Sequence, residues 1–183
     1  MKHWTYTVAV AVALGLALAG CQPDAGRLTS GSLAAASSPS RSELAAIVQA
    51  AVEDRNGTVL DAPPAMRLAR EHMTAAYLSK RERDLSTVAR AKAGFKAMGF
   101  WYTSFSTKVT VESVEVAGSE ASVRFKELTE EYQASTANGP SSIPAGYSLV
   151  QTATFRSSGD AWQLDSISPS AHGGGLPMSV VEG

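Results

Sequence analysis

From Ser40 the chain repeats apolar residues at Leu44, Ile47, Val48, Ala51 and Val52, the three-and-four spacing of one helical face. Ser40 and Glu43 stand as a capping box before it and Asn56-Gly57 after it, which predicts a first helix over about Arg41 to Arg55. After GTVLDAPP, a second helix is expected to open near Pro64 and run through MRLAREHMTAAYLS, with Leu68, His72, Ala75 and Ala76 on a shared face. A further helix is expected over Asp84 to Met98, carrying Leu85, Val88, Phe95 and Met98, weakened by Gly94 and ended by Gly99.

From Trp101 the period becomes two. Val109 and Val111 are followed by Val114 and Val116, a change of parity that predicts a bulge near Glu112-Ser113. In ASVRFKELTEEYQ, Ala121, Val123 and Phe125 point one way and Leu128 and Tyr132 the other. Beyond the loop ASTANGPSSIPAG, Tyr147, Leu149, Ala153 and Phe155 mark another strand, and Ser157-Ser158-Gly159-Asp160 turns it into AWQLDSIS with Trp162 and Leu164. Helices grouped before hairpin-linked strands predict an α+β fold: N-terminal helices packed on a bent antiparallel sheet of about four strands.

The start of the chain has a different logic. Lys2 precedes Val8 to Ala19, an apolar run too short to span a bilayer and laid out like a secretory signal peptide. Leu18-Ala19-Gly20-Cys21 resembles the lipobox of bacterial lipoproteins. That resemblance implies cleavage before Cys21 and a diacylglycerol on its thiol, so that residues 1–20 are a signal peptide and the protein is lipid-anchored on the extracytoplasmic face of the cell membrane. Gln22 after the Cys admits an outer membrane if the organism has one. Cys21 is the only cysteine, so an exported chain has no internal disulfide to lean on. Residues 21–40, rich in Ser, Ala, Gly and Pro, read as a tether; 41–169 is one domain; 170–183, with Gly173-Gly174-Gly175, reads as a Gly-rich tail resembling a linker.

Charge changes the picture little. Lys and Arg number 16 against 17 Asp and Glu, a balance that argues against nucleic acid as a partner. Basic residues gather between Met66 and Gly99 and acidic ones between Val111 and Tyr132, a pattern of solvated faces or of a basic face toward anionic lipid or wall polymer.

The element order, with the closing hairpin FRSSGDAWQLDSI, resembles the cystatin-like, NTF2-like superfamily, which implies a bent sheet wrapped around a helix to leave a cone. VRFKELTEEYQ followed by YSLVQTATFRSSGDAWQL also resembles the domain preceding the amidase region of some actinobacterial secreted proteins. The resemblance implies that any cavity residues come from His72, Tyr77, Tyr102, Glu127, Glu130, Tyr132 and Tyr147. No catalytic residue transfers by motif. His72, without a second His or Cys nearby, is a poor zinc ligand and is read as a partly buried, hydrogen-bonded helix residue. No metal or cofactor is expected. The expectation is a non-catalytic domain that binds a small ligand or an envelope protein. The alternatives are an isomerase or dehydratase working in the cone, and an accessory domain related to cell-wall amidases.

Overall fold

The computed structural model describes residues 38–159, 161–170 and 175–181; the expected signal peptide, Cys21 and most of the tether lie outside these residues. Helix α1 spans Arg41–Gly57. Ser40 is extended and its hydroxyl accepts the Glu43 N–H at 3.1 Å, satisfying one of the donors a helix start leaves unpaired. Leu44, Ile47, Val48, Ala51 and Val52 are all buried, as their spacing requires.

The helix expected from Pro64 does not form. Asp54, near the end of α1, accepts the N–H groups of Arg67 at 2.7 Å and Leu68 at 2.9 Å, holding the chain extended. Farther on, Met73 bridges Leu164 in parallel, leaving only a 3-10 turn at Arg70–His72. This connection still contributes Leu68 and Met73 to the core.

Helix α2 then runs unbroken over Ala75–Ala97, where a boundary near Asp84 was expected. Thr74 caps it by accepting the Tyr77 N–H at 3.1 Å, and Asp84 is an interior residue paired with Lys80 at 2.8 Å, one turn before it. Gly99 ends the segment at φ +86°, and a Cβ there would lie 2.7 Å from Thr136 Oγ1. Only glycine meets both conditions without strain.

Strands β1 (Phe100–Ala117), β2 (Glu120–Ser135), β3 (Gly139–Pro140), β4 (Ala145–Ser158) and β5 (Ala161–Pro169) form one antiparallel sheet. Its order is β1-β2-β4-β5, with the short β3 added beside β2. The protein is therefore an α+β fold of two helices on a five-stranded sheet. Register shifts fall between Val111 and Ser113, at the expected bulge, and also between Tyr102 and Ser104 and between Thr154 and Phe155. Bulges bend long strands, and the extra residues here, Thr103, Glu112 and Asp165, lie in β1 and β5.

Trp162, Phe125, Phe155 and Leu164 share the core with the apolar face of α1. Along β2 the inward row begins apolar, with Ala121, Val123 and Phe125, and continues polar, with Glu127, Thr129 and Glu131 equally buried. Helix α1 makes the same change, from Ala51 and Val52 to Arg55 and Asn56. The two changes meet, and the site lies there.

Candidate functional site

Glu127 is fully buried, which for a carboxylate demands partners. It has five. Oε1 accepts from Asn56 Nδ2 at 2.8 Å, Thr129 Oγ1 at 2.8 Å and the Tyr147 hydroxyl at 3.0 Å. Oε2 accepts from Arg55 Nη2 and from Gln151 Nε2, both at 2.5 Å. Arg55 also donates from Nη1 to Gln151 Oε1 at 2.9 Å, so cation, amide and carboxylate close a ring between α1, β2 and β4. Asn56 joins this ring to Thr107 at 3.0 Å and Thr129 at 3.1 Å, and its Oδ1 accepts from Ser179 at 2.8 Å.

Burial alone would push the Glu127 carboxyl up. The Arg55 charge and the hydrogen bonds from Asn56, Arg55 and Thr129 outweigh it and hold the group below the usual carboxylate range. Tyr147 is pushed up, first by burial and then by the Glu127 charge. Four positions farther along β2, Glu131 is the opposite case. It is 5% exposed, its Oε1 has no hydrogen-bond partner, and burial followed by repulsion from Glu127 raises it to about 7 despite a hydrogen bond with Tyr102. Tyr102 rises to about 12, through burial and then Glu131.

A cavity of about 60 Å³ opens beside the network, lined by Arg55, Tyr77, Lys80, Val88, Ser179 and Val181 among others. Of the residues expected at a cavity, Glu127 and Tyr147 sit in the network, Tyr77 borders this cavity, and Tyr102 meets Glu131. The others are not brought in. His72 occupies the 3-10 turn rather than a helix face, half-buried with Nδ1 unpartnered, because the segment that carries it is held extended. Glu130 is exposed, and Tyr132, half-buried, has the strand parity opposite to Glu127 and Glu131.

Sequence reasoning missed Arg55, Asn56, Thr129, Glu131, Gln151 and Ser179. For Thr129 and Glu131 a signal existed: the alternation of Ala121, Val123 and Phe125 carried on by twos. The basic residues gathered in α2 prove largely occupied. Lys80 pairs with Asp84 and Lys96 with Asp61, while Lys92 donates to the carbonyls of Thr58 and Leu60.

Among the described residues no cluster of three or more His, Cys, Asp or Glu could hold a metal ion, and no helix is long and apolar enough to cross a membrane. No family model matches the chain, and no curated protein matches it. The solved intermembrane space region of the chloroplast protein ARC6 is similar at 15% identity and TM-score 0.45, over 74% of this chain and 99% of that one. A likeness of that degree carries no functional inference.

Proposed function

We propose that the protein is a lipid-anchored module of the cell envelope, held by Cys21 at an extracytoplasmic membrane face. Its NTF2-like domain binds a ligand or protein partner without catalysis. The observation supporting the non-catalytic reading is the state of Glu127. A general base needs a free lone pair and a matched pKa, whereas this carboxylate accepts five hydrogen bonds and is held below the usual range. It organises the polar network between α1, β2 and β4 instead of attacking from it.

One observation favours a cone enzyme as a second reading: Glu131, buried and raised to about 7, has the proton affinity of a working acid or base. Against it, Glu131 does not line the cavity beside the network. Screening the purified protein and its Glu131→Gln variant against esters, peptidoglycan fragments and steroid-like ketones separates the two. The binding reading expects no turnover. A rate that saturates with substrate and disappears in Glu131→Gln overturns it.

Location is tested separately by lipid labelling of growing cells. Cys21→Ser is expected to lose both the label and the membrane fraction. An unlabelled wild type, or a variant that remains membrane-bound, removes the anchor from the proposal.

A further inference from the structure

The Gly-rich tail does not simply trail away. In residues 175–181, Val180 N–H bonds the Pro177 carbonyl at 2.9 Å and closes a turn. Ser179, within that turn, is 3% exposed. Its hydroxyl donates to Asn56 Oδ1 at 2.8 Å. The other donors near Asn56 Oδ1, Arg55 Nε and the Tyr147 hydroxyl, stand farther off at 3.4 and 3.3 Å, so Ser179 supplies its shortest bond. Lys80 Nζ takes the Val181 carbonyl at 3.1 Å, and Val180 and Val181 line the same cavity as Tyr77 and Val88.

These are the contacts of a receptor with a short turn-forming peptide: one buried hydroxyl, one main-chain carbonyl and two β-branched side chains. The segment is in none of the sheet's strands, so these few bonds and the cavity contacts hold it. When it leaves, a buried amide oxygen loses its best donor at the floor of an open hollow, and a replacement hydroxyl is favoured there.

We propose that this mouth is a peptide-binding site and that Pro177–Val181 is its intramolecular occupant. A segment of the same chemistry, a Ser or Thr followed by β-branched apolar residues, binds in its place. The inference rests on the binding reading above and names its ligand class. A tethered occupant competes at an effective concentration in the millimolar range, so the intact chain takes external peptide poorly.

The probe is a labelled synthetic peptide with the sequence of residues 176–181, LPMSVV. A chain ending at Ser170 is expected to bind it at least about tenfold more tightly than the full chain, and a peptide with Ser179→Ala to bind that shortened chain up to about tenfold more weakly. Equal affinity of the two chains, or no binding to a shortened chain whose circular dichroism is native, overturns the proposal. Should the shortened chain not fold, full-length Ser179→Ala carries the test. Weakening the inner occupant must raise its affinity for the unaltered peptide, and unchanged affinity overturns the proposal. Failure here with a silent substrate screen removes only the peptide, whereas turnover in that screen removes the binding reading itself.

Discussion

The inner surface of this protein has two halves built on the same elements, and they are stabilised in different ways. In one, Leu44, Val48 and Val52 of α1 share a core with Val123 and Phe125 of β2, Phe155 of β4 and Trp162 of β5. In the other, Arg55 and Asn56 of α1 face Glu127 and Thr129 of β2 and Tyr147 and Gln151 of β4. The apolar half depends on volume and tolerates exchange of similar shapes. The polar half depends on a closed set of donors and acceptors, in which removing one member leaves others buried and unpaired. A helix that only had to cover a sheet could continue its apolar stripe to the end. In α1 it does not, and β2 changes at the matching place, so the two elements form one polar network.

The comparison is most directly broken in the apolar half. Trp162→Ala empties a site only 2% exposed and is expected to cost about 3–5 kcal/mol, read by thermal or urea unfolding. A variant melting within a few degrees of wild type means the indole is no core residue. In the polar half, Arg55→Met leaves the fully buried Glu127 without its cation and is expected to cost about 3 kcal/mol. Adding Glu127→Leu should recover little, since the donors of Asn56, Tyr147 and Gln151 are still stranded. Full recovery in the double variant would reduce the network to a simple ion pair.

The finest distinction lies within β2 itself. Glu127, lowered in the folded state, contributes stability above the ordinary carboxylate pKa that is lost as pH falls through its folded value. Glu131 has the opposite sign. Raised from 4.5 to about 7, it binds more protons folded than unfolded, so stability declines as pH climbs through that window. Glu131→Gln should therefore stabilise the protein by roughly 3 kcal/mol more at pH 8 than at pH 4. A gain independent of pH would mean that Glu131 does not titrate in that window.

The apolar half was legible from residue spacing. The stripe of α1, the inward row from Ala121 to Phe125, the Val111–Ser113 bulge and the Trp162 hairpin all follow from period and parity. The connection from Asp61 to Met73 was not, because what decides it is a carboxylate thirteen residues back, Asp54, taking the Arg67 N–H and then that of Leu68. A local helical pattern cannot register a distant acceptor. The site was half legible. Glu127 and Tyr147 stood out as residue types in strands, but Asn56 read as a turn signal, and its role depends on elements far along the chain. Ser179 lay in a stretch whose glycines suggested a linker, and no pattern in a tail shows that it returns.

The joint between α2 and β5 bears on the order of events during synthesis. Thr74, which starts α2, donates its N–H to the Leu164 carbonyl at 3.0 Å, and its hydroxyl bonds Asp165, 91 positions later, at 2.9 Å. Contacts between such distant positions close late and slow the search for the native state. A chain emerging from its N-terminus has α2 complete long before its anchoring strand exists. The first turn of the helix must wait for that strand, and the last hairpin acts as the clasp at this end of the domain.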